Sequence, residues 1–209
     1  MTASNQSQNG AGIESVSLTW DEIKKIKRAI CDGRPYTDRM SFAMACRLMD
    51  LKNNRSREYE SVLREIRFLE GIAPSSVTKA ASQFKRPPLH PFWHKHFYAP
   101  RHFLANLGAR WGFQRGGNKD LMKLIEDVAL RHCHGPEELQ SVLPHHLVMD
   151  GWKDRASFGL TGDWIIFAKH DGKNYYLDLA SHKEGDQPDA LMTKLRSGCA
   201  AEFPFLFNE

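Results

Sequence analysis

Apolar residues recur every three or four positions in the first third of the chain, which is the spacing of one face of an α-helix. Thr19-Trp20-Asp21-Glu22 has the form of a capping box, and isoleucines follow it at helical spacing until Gly33. A second helix is predicted over about Asp38–Asp50, and an apolar stripe predicts a third over Tyr59–Leu69. We expect these three helices to pack as a small bundle.

The periodicity weakens in the middle of the chain. Residues 71–91 carry no helical stripe, and Lys85-Arg86-Pro87-Pro88 predicts an extended connector because proline lacks a backbone donor. Pro100 suits the first turn of a helix that runs to about Trp111. Asn118 is placed to cap an amphipathic helix that ends near Gly135, and Pro136 predicts a short helix through Val142.

The pattern changes to strand-like runs after residue 150. Trp164–Ala168 and Tyr175–Leu179 are rich in β-branched, aromatic and aliphatic residues, and the connector 169–173 contains a glycine, so together they predict a β-hairpin. A last helix is predicted over Pro188–Ala201, and the apolar tail Phe203–Phe207 is expected to dock on the core. The predicted fold class is α+β, with an N-terminal helical part and a small C-terminal antiparallel β-sheet.

The composition predicts a soluble, cytoplasmic protein. The polar stretch 1–15 has no apolar segment of the secretory kind, and no run approaches the 18 apolar residues of a membrane span. The four cysteines lack C-x-x-C spacing, which favours reduced thiols. No cofactor is predicted, and the pattern leaves the oligomeric state open. The expected organisation is a disordered tail over 1–15, a helical part over 16–71, a basic, histidine-rich part over 72–150 and a hairpin domain over 151–209.

Charge is segregated along the chain. Residues 71–119 contain no Asp or Glu and eight Lys or Arg, although the whole chain has 29 basic and 25 acidic residues. Aromatic rings are threaded through the same segment, and basic residues interleaved with rings suit a nucleic acid. The competing interpretation is that the rings are core and the cations its solvated rim. The candidate nucleic-acid contacts are Lys85, Arg86, Lys95, Arg101, His102, Arg110 and Arg115.

Histidines supply the candidate chemistry. His94 and His96 flank Lys95, and in an extended strand the two imidazoles share one face. One imidazole can then remove the 2′-hydroxyl proton of RNA while the other protonates the leaving 5′-oxygen and a cation stabilises the phosphorane charge. Packed or surface histidines are the competing interpretation. A metal site is the third, but His94-x-His96, His132-Cys133-His134 and His145-His146 match no ligand pattern, so no metal is predicted.

The sequence of the predicted hairpin resembles that of a known protein family. Leu160–Lys169, followed by Asn174–Leu179 and Ser181-His182, resembles the central hairpin of the barnase, EndoU, colicin and RelE class of small ribonucleases, especially the phage and polymorphic-toxin variants. The resemblance implies metal-independent RNA cleavage by His, Lys, Arg, Tyr or Thr side chains on the face of a small antiparallel sheet. It adds Lys169, Tyr175 and His182 to the candidate catalytic residues.

The expected function is therefore an endoribonuclease of phage or toxin type that acts on RNA, with an inhibitor or other protein as a further partner and no membrane association. Its candidate catalytic residues are His94, His96, His182, Lys169 and Tyr175. One alternative is a non-catalytic protein that binds nucleic acid or an acidic protein surface. Another is an anti-defence or regulatory accessory protein, in which Trp93 and Trp111 form an exposed apolar patch.

Overall fold

The computed structural model describes residues 18–132, 135–160 and 162–207. It confirms the α+β class, because helices cover both faces of one antiparallel sheet with strand order β1-β2-β3-β4. The strands are β1 (Ser82–Gln83), β2 (Trp93–Phe97), β3 (Asp163–His170) and β4 (Lys173–Ala180). The helices are α1 (Trp20–Cys31), α2 (Phe42–Asn53), α3 (Arg57–Leu69), α4 (Phe103–Trp111), α5 (Lys119–His132), α6 (Pro136–Phe158), α7 (His182–Gly185) and α8 (Pro188–Cys199). The predicted tail 1–15 and Cys133 lie outside the described residues.

The N-terminal helices begin at side-chain caps. The predicted capping box is confirmed, since Thr19 and Glu22 each bond the backbone N–H of the other at the start of α1. The second helix begins later than predicted, at Phe42, because Thr37–Arg39 forms a 3₁₀ turn and Ser41 caps α2. The apolar stripe of α3 is confirmed, and Ser56 caps that helix.

These helices pack on the sheet and do not close a bundle of their own. Side chains of α1, α2 and α3 share one buried cluster with Phe97 of β2, Ile165 and Phe167 of β3 and Tyr176 of β4. Because an amphipathic helix buries its apolar stripe against another element, the sheet completes this core. The helical part and the hairpin therefore share one core.

The other face of the sheet packs against α8. Ile166, Ala168 and Leu177 form a second buried cluster with Leu191 and Leu195. Phe203 and Phe207 are buried in the same cluster, so the predicted docking of the C-terminal tail is confirmed.

Half of the sheet's strands come from the middle of the chain. β1 lies in the predicted connector, and β2 pairs with β3 in the register Trp93↔Phe167 to Phe97↔Asp163. The sheet is thus not confined to the C-terminal part. Sequence pattern missed β2 because its five residues, Trp-His-Lys-His-Phe, show no apolar alternation.

Helices α4, α5 and α6 form an insertion between β2 and β3. The predicted end of α6 at Val142 is wrong, since the helix continues through Pro144 to Phe158. α6 packs against α4, where the Trp111 indole donates to the Leu147 carbonyl at 2.8 Å. No helix in the described ranges, α6 included, is both long enough and apolar enough to cross a bilayer.

Candidate active site at one end of the sheet

Strand β2 presents two imidazoles on one face. His94 and His96 alternate with Lys95, and their ring centroids lie 5.7 Å apart. The predicted sharing of one face is therefore confirmed. The same alternation turns Lys95 to the opposite face, so the expected arrangement of a histidine pair with an adjacent cation does not form.

Trp164 of β3 lies at the centre of the site. Its indole is 4.9 Å from the ring of His94 and 4.9 Å from the ring of His182, centroid to centroid. Gly185 permits this packing, because a Cβ at that position would lie 2.1 Å from Trp164 Cζ3. The indole of Trp164 thus contacts imidazoles that come from different parts of the chain.

His182 reaches the site from the segment that follows β4, the second strand of the hairpin. It is the first residue of α7, whose capping box is formed by Ser181 and Glu184. Its ring lies 5.5 Å from that of His96 and 6.1 Å from that of His102. We call His94, His96, His102 and His182 the histidine cluster. His182 is its exposed member.

His102 is held by a buried carboxylate. Its Nε2 lies 2.9 Å from Asp163 Oδ1, so Nε2–H donates and Nδ1 keeps its lone pair in the neutral ring. Asp163 also accepts from Arg101, which pairs at the same time with Glu58 of α3. This network fixes the imidazole of His102 at the edge of the cluster.

His96 is anchored to the backbone of the segment before β3. Its Nδ1 lies 2.7 Å from the Gly162 carbonyl oxygen and 3.3 Å from the Gly162 nitrogen. The carbonyl can only accept and is the nearer partner, so Nδ1 carries the proton and Nε2 is left as a base. Gly162 is required there, because a Cβ would lie 1.8 Å from the Phe97 carbonyl oxygen.

The two β2 histidines are neutral near pH 7. Burial, together with the neighbouring His96 and His182, lowers the pKa of His94 to about 4. Burial also lowers the pKa of His96, although the bond to the Gly162 carbonyl opposes that shift. Neutral imidazoles at this position can accept protons.

Two buried polar atoms of the site have no hydrogen-bond partner among the described residues. They are Nδ1 of His94 and Nε1 of Trp164. The other ring nitrogen of His94 lies 3.2 Å from Ser82 Oγ. Orphaned polar atoms are rare in folded proteins and concentrate where a ligand completes the bonding.

Lys169 and Tyr175 lie away from the histidine cluster. Lys169 Nζ sits 3.8 Å from the centroid of Trp93, on the far half of β3. Tyr175 packs against Phe203 and Phe205, with ring centroids 5.3 Å away in both cases. Of the five candidate catalytic residues, the structure therefore brings together His94, His96 and His182.

Lys95 is not at the surface. Its side chain is 0% exposed and its Nζ lies 2.9 Å from Glu65 Oε2, itself 1% exposed. The ammonium also donates to Ser76 Oγ at 2.8 Å and to the Lys79 carbonyl at 2.7 Å. Lys95 therefore fastens the segment 76–79 to β2 and does not contact a nucleic acid in this fold.

Other charges of the basic segment are also paired. Arg101 binds two carboxylates, as described above, and Arg110 binds Asp120 and Asp154 at 2.8 Å each. Residues 71–119 contain no acidic residue, but acidic side chains from other parts of the chain lie next to their cations in the fold. Lys85, Arg86 and Arg115 are exposed, and within the described ranges none of the three forms an ion pair.

The other histidine groups do not converge on this site. His145 and His146 contact each other edge to face in α6, with ring centroids 5.9 Å apart. Cys133 and His134 lie outside the described residues, as does the side chain of His132. Among the described residues, no group of three or more His, Cys, Asp or Glu side chains is arranged to hold a metal ion.

Sequence reasoning missed Asp163 and Trp164 as members of the site. Thr161-Gly162-Asp163 has the composition of a turn, which gives no sign of a functional role. Thr161 lies outside the described residues, whereas Gly162 anchors His96 and Asp163 anchors His102. One sequence signal could have identified Asp163, because it is an acid at the first position of an apolar strand. A carboxylate buried there without a partner would cost free energy, so a partner is expected.

No protein-family model, curated protein or solved structure matches this chain. The geometry of the histidine cluster is therefore the basis for a functional assignment.

Proposed function

We propose that this protein cleaves RNA by metal-independent acid and base catalysis in the histidine cluster. The observation that carries the proposal is the convergence of four imidazoles from β2, the start of the insertion and α7 around Trp164. The cluster supplies acid–base groups, and these are sufficient when the substrate brings its own nucleophile. RNA suits such a site because its 2′-hydroxyl is the nucleophile.

His96 is the proposed general base. Its Nδ1–H is fixed on Gly162 and its pKa is lowered by burial, so Nε2 is unprotonated at neutral pH. His182 is the proposed general acid, because it is the exposed member of the cluster and its ring lies 5.5 Å from that of His96. The 2′-oxygen attacks phosphorus as His96 takes its proton, the P–O5′ bond breaks, and His182 gives a proton to O5′. The products are a 2′,3′-cyclic phosphate and a 5′-hydroxyl.

His102 is a positioning residue in this proposal. Its ring lies 6.1 Å from that of His182 and is held by Asp163. A carboxylate-bound imidazole at this distance limits where the His182 ring can sit. Lys79 supplies positive charge toward His96 and is exposed, so it is the proposed phosphate contact.

The proposal is tested by incubating the purified protein with labelled RNA in EDTA, followed by end-group analysis. RNA fragments ending in 2′,3′-cyclic phosphate are expected, with no cleavage of DNA of the same sequence, since DNA lacks the nucleophile. His96→Ala and His182→Ala are each expected to lower kcat by about 10²-fold or more.

His145→Ala is the matched control for these variants, because His145 is an exposed histidine on α6, outside the cluster. Its activity is expected to equal that of the unmodified protein. RNA that stays intact would rule out the proposed function, and equal activity of His182→Ala would rule out the proposed acid.

A second candidate function is binding to a protein partner. Large apolar side chains are exposed on α4, α5 and the turn between them: Leu104 is 76% exposed, Leu130 86% and Phe113 48%. Trp111 is buried in the core, so it does not form an exposed apolar patch with Trp93. A shallow dependence of partner affinity on salt would favour this function, whereas a steep one indicates phosphate contacts.

A further inference from the structure

A cavity of about 460 Å³ lies farther along β3 from Trp164, and its lining includes Trp93, the neighbour of His94 on β2. It forms where the start of β2 and the end of β3 meet α8 and the C-terminal turn at Pro204–Leu206. We propose that this distal cavity binds one nucleotide unit, through its phosphate and its base. The proposal extends the proposed function, because it makes the cavity a subsite for the RNA strand.

The charge of the distal cavity suits a phosphate. Lys169, Arg196 and His90 contribute to its lining, and none of the described lining residues carries a carboxylate. His170 also lines it but contacts the exposed Asp171 at 3.3 Å, so it is not counted as a free cation. By contrast, a cavity of about 300 Å³ beside Asp163 includes Asp50, Glu58 and Glu184 in its lining. The distal cavity thus combines positive charge with a lining free of carboxylates, unlike the cavity beside Asp163.

Aromatic rings line the same cavity. Phe205 is 41% exposed, and its ring lies 4.6 Å from that of His170. Trp93 is half-buried beside it, with the Lys169 ammonium 3.8 Å from the indole centroid. Exposed rings next to cations favour a ligand that is both planar and anionic. A nucleoside monophosphate meets both requirements, whereas a simple anion would leave the rings unused.

The distal cavity lies within reach of a bound RNA strand. Trp164 and Lys169 are five residues apart on β3, which corresponds to roughly 16 Å. The exposed Lys85 and Arg86 follow β1, the edge strand that pairs with β2. Single-stranded nucleic acid commonly tracks several nucleotides along such a surface.

Isothermal titration with adenosine 5′-monophosphate tests the cavity directly. The double variant Lys169→Ala/Arg196→Ala is expected to weaken binding at least tenfold. Lys25→Ala/Arg28→Ala removes two exposed cations from α1 and is expected to leave the affinity unchanged. Absence of binding at millimolar nucleotide, or equal loss in both double variants, would overturn the proposal.

The contribution of the base is tested separately. Phe205→Ala is expected to weaken adenosine 5′-monophosphate binding about fivefold or more and to leave binding of ribose 5-phosphate unchanged. Phe113→Ala removes an exposed ring far along the chain from the cavity and is the matched control. If ribose 5-phosphate bound as tightly as the nucleotide, the cavity would be a phosphate site and the assignment of the base would be wrong.

A third set of measurements separates this inference from the proposed function. His182→Ala is expected to bind adenosine 5′-monophosphate normally. Nucleotide binding without RNA cleavage would contradict the proposed function alone, and cleavage without nucleotide binding would contradict this inference alone. In cleavage assays, Lys169→Ala/Arg196→Ala is expected to raise KM for a hexanucleotide but not for a dinucleotide. An unchanged KM for both would show that the cavity takes free nucleotides and is not a subsite for the strand.

Discussion

The imidazole of His102 and the carboxylate of Asp163 meet at 2.9 Å, and these two residues stand at opposite ends of the helical insertion formed by α4, α5 and α6. The hydrogen bond therefore joins the place where the chain leaves the sheet to the place where it returns. Arg101 adds a second link to the same carboxylate. Anchoring of the insertion and positioning of the histidine cluster thus depend on one buried acid.

Asp163→Asn is expected to affect both stability and activity. The amide keeps the shape of the carboxylate but loses its charge, so the bonds from Arg101 and His102 weaken at a buried position. We expect a loss of about 1–3 kcal/mol in the free energy of unfolding and on the order of tenfold in kcat. Urea denaturation and steady-state kinetics measure the two effects. Asp171→Asn, at an exposed carboxylate, is the control, and an equal loss there would contradict the assignment.

The buried ion pair between Lys95 and Glu65 is expected to behave non-additively. Lys95→Met or Glu65→Leu alone leaves an uncompensated group in the core, and each should cost about 3–5 kcal/mol of stability. The combined variant Lys95→Met/Glu65→Leu removes both charges and should cost less than the sum of the two single losses. Chemical denaturation of all variants completes the cycle. A combined loss equal to the sum would show that the two side chains do not interact.

Acid is expected to destabilise the protein through His94. Its pKa is about 4 in the folded state against 6.5 ordinarily, so between these values the unfolded chain binds more protons. This contribution to stability is complete above pH 6.5 and is lost as the pH falls toward 4. Allowing for partial water access, we expect it to be on the order of 1–2 kcal/mol. His94→Phe should flatten the dependence measured by denaturation at pH 7 and pH 5, whereas an unchanged slope would contradict the assignment.

Gly185→Ala is expected to disturb the histidine cluster by a steric route. The added Cβ would lie 2.1 Å from the Trp164 ring, so the indole or α7 must move. We expect a stability loss of about 1–3 kcal/mol and a change in tryptophan fluorescence. Gly108→Ala on α4 is the control, because its Cβ would meet only Phe113, at 3.8 Å, and alanine favours a helix. Retention of the native spectrum in Gly185→Ala would show that the site adapts to the methyl group.

Much of the fold could be predicted because its signals are local. Thr19 and Glu22 lie within one helical turn, and the hairpin turn at Asp171-Gly172 places both residues at positive φ, a geometry that glycine and aspartate favour. α6 was predicted too short because Pro144 has the form of a helix stop, whereas packing of the helix against α4 carries it past the proline. Strand β2 was missed because strands are stabilised by partners far away in sequence.

The site could be predicted only in part, for a related reason. Strand alternation placed His94 and His96 on one face without any tertiary information. The partners of Lys95, Arg101 and Arg110 come from segments outside the basic stretch, so sequence charge overstated the surface charge. The sequence positions of His102 and His182 do not predict that they lie near β2, because only the tertiary structure brings α7 and the start of the insertion to the cluster.

The distribution of the histidine cluster over distant positions has a consequence during biosynthesis. A ribosome releases β2 and its two imidazoles first, but His182 follows only after the whole insertion and the β3–β4 hairpin. Because chains emerge from their N-terminus, a nascent polypeptide holds a partial set of acid and base groups until residue 182 is free to dock. Under the proposed function, an incomplete chain would therefore lack its general acid, His182, while it is still attached to the ribosome.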